Sequence, residues 1–132
     1  MPVGNENMLV DADELLLRQV LPIWIQDGRP ASCAFSPNSN DGGHLSTDRG
    51  SLITPREAYE NYVKSRKSGG VWAVSVGECS NEALSAYDDA LEGNPSHAIV
   101  DFSGLSKGQQ QTKGKKLRAH AAQRGCLHSG DA

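Results

Sequence analysis

With 132 residues, 37% hydrophobic and 22% charged side chains, the chain has the size and composition of one globular domain, which excludes a fibrous or wholly disordered protein. No apolar run approaches the roughly 18 residues that span a bilayer, and residues 1–7 have neither the basic region nor the apolar stretch of a secretion signal, so a cytoplasmic protein is expected. The net charge of −3 hides a segregation: residues 1–101 hold fifteen of the sixteen acids, and six of the thirteen basic residues cluster between Lys107 and Arg124.

In chain order, residues 1–10 are polar and aperiodic, which predicts a flexible arm ahead of one globular domain over 11–125, with a loose tail at 126–132. Asp11, with Glu14 three positions on, has the pattern of a capping box and predicts a short helix carrying Leu15, Leu16 and Val20 on one stripe and ending at Pro22. Ile23, Trp24 and Ile25 then lead into the turn sequence Asp27-Gly28-Arg29-Pro30. Residues 31–36 alternate as a short strand, residues 37–43 form a Gly- and Asn-rich loop, and 45–49 re-enter the sheet.

Thr54-Pro55-Arg56-Glu57 is a strong helix start and predicts a helix from 55 to about 67, closed by Gly69-Gly70. Residues 71–76 are apolar on both alternating faces, as in a strand at the centre of a sheet. An acidic, turn-rich stretch over 80–95 allows one helical turn near 82–87, and residues 97–102 alternate as a further strand. Ser106 is positioned to cap a last helix to about Arg124, although Gly108 and Gly114 each weaken it by about 1 kcal/mol relative to alanine. The fold class is therefore mixed α+β, a sheet of about four strands packed with two or three helices.

Polar residues at strand ends and beside glycine-rich turns are the candidate site. Asp48 and His97 are the candidate proton carriers, and Arg29, Ser32, Ser46 and Arg49 the candidate binding residues, since arginine grips phosphate or carboxylate in two-pronged fashion and serine adds a hydrogen bond. Each also has a structural use in a turn or ion pair. His44-Leu45-Ser46 resembles half of the paired histidine motif of small phosphoesterases, but His97-Ala98-Ile99 has an apolar residue where the second half needs Ser or Thr.

Lys115 and Lys116 lie at the centre of the basic segment 107–124, which meets nucleic-acid phosphates, forms a solvated helix face, or docks on the acidic remainder of the chain. Cys33, Cys79 and Cys126 are odd in number and widely spaced, fitting neither a disulfide framework nor a zinc site; reduced thiols, no metal and no cofactor are expected. Cys33 and Cys79 both fall in apolar strand contexts.

The segments Asp27-Gly28-Arg29-Pro30 with Ser32, Ala34 and Phe35, then Leu45-Ser46 with Asp48-Arg49, then Asn94 to Ala98, resemble a group of small uncharacterised bacterial proteins over most of residues 20–102. The resemblance implies a bacterial origin and transfers no activity. Small size, segregated charge and the absence of catalytic motifs lead to an accessory or binding module with a protein partner, of the toxin–antitoxin, immunity or defence kind. The alternative is a small transferase or hydrolase acting on a nucleotide or nucleic acid.

Overall fold

A computed structural model describes residues 7–37 and 42–129. Its frame is a five-stranded antiparallel sheet in the order β5-β1-β4-β7-β6, formed by β1 (Leu15–Gln19), β4 (His44–Arg49), β5 (Val71–Ser75), β6 (Ser85–Asp88) and β7 (His97–Asp101). A small hairpin, β2 (Ile25–Gln26) and β3 (Arg29–Pro30), projects beside it. Its turn requires positive φ at both central residues, and Asp27 at 54° and Gly28 at 76° supply it. Among the described residues three α-helices complete the mixed α+β fold: α1 (Pro55–Tyr62), α2 (Val76–Asn81) and α3 (Lys107–Arg124).

All three helices start at a reciprocal box. Thr54, Ser75 and Ser106 each accept from the backbone N–H three residues on, and Glu57, Glu78 and Gln109 reach back to the cap residue's own N–H. Gly114 is buried because α3 crosses tightly over the 3-10 turn Ser32–Phe35: a Cβ there would stand 2.9 Å from Ser36 Cβ and 3.1 Å from the Phe35 carbonyl.

Alternation along the strands divides the core into two layers. On one face Leu16, Leu45, Trp72, Val74, Ala86, Ala98 and Val100 pack with Phe35, Phe102, Cys79, and with Leu117 and Ala121 of α3. On the other, Leu17, Val71 and Ala73 pack against Ala58 and Tyr59 of α1.

Several local expectations give way to these pairings. Residues 15–19 form a strand, and Asp11 makes a tight turn in which Glu14 N–H donates to its carbonyl; pairing on both sides, with β5 and β4, outweighs the helical spacing of Leu15, Leu16 and Val20. Residues 32–35 form a 3-10 turn, with adjacent Ala34 and Phe35 both buried and Cys33 exposed, so the apolar strand context expected for Cys33 is absent. The helix at 55 stops at Tyr62. The stretch after β5 contributes α2 and β6 in place of a single turn at 82–87.

Strand β5 lies at the border of the sheet, not its centre; it is apolar on both faces because α3 covers one and α1 the other. Residues 8–9 and 126–128, expected to be loose, are engaged: Leu9 N–H donates to the Ala86 carbonyl, Leu127 N–H donates to the Val71 carbonyl, and Val71 N–H donates to the His128 carbonyl. Residues 1–6 of the expected arm and 130–132 of the expected tail lie outside the described residues. Among the described residues, no helix is long and apolar enough to cross a membrane.

Candidate functional site

The charge segregation seen in the sequence is spent inside the fold. From α3, Lys113 donates to the Glu82 carbonyl, Lys116 stands 3.5 Å from the Glu82 carboxylate, and Arg118 donates to the Pro30 carbonyl. Arg124 grips Glu78 with two nitrogens, at 2.9 and 3.0 Å, while also donating to the Ala73 carbonyl, and His120 lies 3.4 Å from Glu78. Burial pushes the Glu78 carboxyl up, but hydrogen bonds from Arg124 and the Ser75 N–H, together with the Arg124 and His120 charges, hold it below the usual carboxylate range. The basic helix is thus docked through the Glu78 and Glu82 carboxylates and through backbone carbonyls. Lys115 stays exposed and Lys116 keeps most of its side chain in solvent.

Arg49 is likewise committed. It clasps Glu14 at 2.8 and 3.1 Å and Asp88 at 2.9 Å, and Ser51 donates to the same Glu14 carboxylate. Burial raises the Glu14 carboxyl, but these hydrogen bonds and the Arg49 charge bring it below its ordinary value. A guanidinium with three donors occupied in this way is a structural clasp, not a free grip for phosphate. Arg29 stands exposed on the β2–β3 hairpin and Ser32 exposed on the 3-10 turn; neither lines a cavity shared with His97.

The expected residues that do come together are Ser46, Asp48 and His97, on the floor of a cleft of about 670 Å³. The cleft lies on the α1 side of the sheet, with Leu17 and Gln19 from β1, Ser46 and Asp48 from β4 and His97 from β7 beneath it. One wall is formed by Ala58, Asn61, Tyr62, Ser65 and Arg66 of α1 and the turn after it, and the other by Leu91, Gly93 and Asn94 from the β6–β7 connection. Asp48 is paired directly with Leu17 on one side and His97 on the other. Residues so paired in antiparallel strands have Cβ atoms about 5 Å apart on the same face, so the three form a row across the floor.

His97 Nδ1 lies 2.9 Å from Asp89 Oδ2 and 3.2 Å from the Asp89 carbonyl oxygen. Both neighbours are acceptors, so the proton of the neutral ring sits on Nδ1 and the Nε2 lone pair is left as a base. Asp48 Oδ1 accepts from Ser96 Oγ at 3.1 Å, which fixes its carboxylate beside the imidazole. Between β1 and β4 the ladder stops after Leu17 and Asp48; beyond it Arg18, stacked 5.6 Å from the Trp24 ring centre, donates to the Ser46 carbonyl at 3.0 Å.

Two residues of this site are absent from the sequence-derived set. Asp89 sits eight positions before His97, across a loop, at a spacing that matches no local motif. Gln19 fell within the stretch expected to be helical.

Among the described residues no three His, Cys, Asp or Glu converge as metal ligands. Cys79 is no nucleophile: burial in the core, and secondarily the Glu78 charge, push its thiol up to about 12. No protein-family model, curated protein or solved structure matches this chain.

Proposed function

We propose that the chain is a small bacterial cytoplasmic enzyme, a hydrolase or transferase acting on a nucleotide-like small molecule bound in the cleft. The observation that carries this reading is the Asp89–His97 pair, with a defined tautomer and a basic Nε2, beside the Asp48 carboxylate on the floor of a cleft large enough for such a substrate. In this arrangement His97 takes the proton from an attacking water or substrate hydroxyl. Asp89 orients the ring and stabilises the imidazolium that forms, and Asp48 accepts a hydrogen bond from the attacking group.

The test is product formation from nucleosides and nucleoside mono- and diphosphates by the purified protein, followed by chromatography. Turnover that falls about 100- to 10,000-fold in both His97→Gln and Asp89→Asn, the range a positioned general base contributes, is the expected result. Turnover unchanged in both variants, or none with any substrate in the panel, rejects the reading.

A second reading, a binding module of the toxin–antitoxin, immunity or defence kind, rests on the small size of the chain and on its segregated charge, and Ile23, 83% exposed, is the apolar side chain at which to probe it. It predicts a stable protein complex that Ile23→Asp weakens. Direct nucleic-acid binding by α3 has less support, since Lys113, Lys116, Arg118 and Arg124 already serve intramolecular acceptors.

A further inference from the structure

The charged side chain on the α1 wall of the cleft is Arg66, in the turn that follows the helix. Its guanidinium lies 5.8 Å from the Tyr62 ring centre, so the aromatic face of another cleft residue supports it. Among the described residues this guanidinium meets neither a carboxylate nor a carbonyl. Arginines elsewhere are committed: Arg49 to Glu14 and Asp88, Arg118 to the Pro30 carbonyl, Arg124 to Glu78, and Arg18, at the cleft floor, to the Ala34 and Ser46 carbonyls.

Lys64 and Lys67 flank Arg66 and are exposed, and Lys64 reaches the Asn61 amide oxygen at 3.4 Å. Cations after a helix also offset the negative end of its dipole, and for the two lysines that use suffices. Arg66 differs in lying over Tyr62 and lining the cleft, where Asn61 and Ser65 add uncharged donors to the same wall. The opposite side is acidic, with Asp48 on the floor and Asp89 against His97. An anion entering the cleft is therefore drawn to the α1 wall and repelled from the carboxylates. Helix α1 packs on β1, whereas β7, which carries His97, lies two strands further on, about 10 Å at the usual strand spacing.

We propose that Arg66 is an anion anchor: the ligand of the cleft carries a phosphate or carboxylate that docks at the α1 wall while its reacting bond lies at His97. A guanidinium holds either oxyanion by the same two-pronged hydrogen bonding. Anchoring a remote group in this way positions the reacting end without entering the bond change. The inference rests on the enzymatic reading for events at His97 but makes its own claim about binding.

Titration calorimetry of the intact protein at low and high salt tests it with matched pairs: adenosine 5′-monophosphate and adenosine, uridine 5′-monophosphate and uridine, glucuronate and glucose. The charged member of at least one pair is expected to bind roughly tenfold or more tightly than its neutral partner, and less so at high salt. Which pair shows the preference tells phosphate from carboxylate. Arg66→Gln is expected to remove the preference and Lys67→Gln to keep it, with Tm level in both because the two side chains are exposed. Arg66→Lys, which keeps the charge and loses the fork, should retain part of it.

Equal binding within every pair, a preference untouched by Arg66→Gln, its equal loss in Lys67→Gln, or no binding at all overturns the inference. A product stripped of its phosphate does the same, since it would put the anion at His97. If a neutral substrate is turned over in a manner that depends on His97 and not on Arg66, the anchor alone has failed. Arg66-dependent anion binding without turnover of any substrate leaves the anchor standing and rejects the enzymatic reading.

Discussion

The two faces of the sheet treat polar groups in opposite ways. On the α3 side, the charged residues that approach the core are closed into clasps: Glu14 with Arg49 and Ser51, Glu78 with Arg124, Lys113 with the Glu82 carbonyl. On the α1 side, α1 covers β1 and β5, and beside it the floor keeps a half-used amide on Gln19 and an imidazole bonded at one nitrogen on His97. A fold that closes its charged groups so fully on one face has no general difficulty in doing so, and the imidazole nitrogen left open on the other face marks where a ligand belongs.

That contrast can be broken most forcefully at Arg49. Arg49→Leu strands the nearly buried Glu14 carboxylate, and equilibrium urea unfolding is expected to show a loss of about 3–5 kcal/mol. The cleft lies outside this clasp, so ligand binding under folding conditions should persist. If stability is unchanged, the clasp is decorative and the two faces do not differ as argued.

Gly114→Ala sharpens the packing side of the comparison. In an open helix the change would gain up to about 1 kcal/mol. Here the new methyl meets Ser36 and the Phe35 carbonyl, and a net loss of about 1–3 kcal/mol is expected from overpacking, visible as a lower Tm. A higher Tm would show that α3 has room to lift from the turn.

The mildest probe is pH. Glu14 and Glu78 both have carboxyls held below their ordinary values in the folded chain, so each contributes stability that is complete above the unfolded value near 4.3 and is lost as pH falls through its lower folded value. Stability should therefore decline progressively below about pH 4.5, and Arg49→Leu should flatten that slope. An unaltered slope in the variant would remove Glu14 from the account.

Legibility in the sequence followed the range of the forces involved. The starts of α1 and α3 were readable because a capping box is complete within four residues; Ser75 and Glu78 formed the same box but lay inside a run of apolar residues that looked like continuing strand. β1 reads as a helix in the sequence for the complementary reason: Asp11 and Glu14 imitate a box, and what makes 15–19 a strand is pairing with residues 30 to 60 positions away.

Of the site, Ser46, Asp48 and His97 were accessible through their residue types and strand-end positions. Asp89 and Gln19 depend on tertiary approach and left no local trace. The arginines drew attention by chemistry that the structure uses elsewhere: Arg49 holds two carboxylates together, and Arg29 stands outside the cleft.

The short pairings at the two borders of the sheet bear on solubility. Val71–Ser75, with the sequence VWAVS, is an uncharged, β-favouring segment of the type that recruits like segments from other molecules when its hydrogen-bonding groups are bare. Leu127 and His128 occupy part of that border, and Met8 and Leu9 do the same beside β6. Trimming either stretch by a protease would bare the backbone groups of that border and is expected to promote strand-to-strand association.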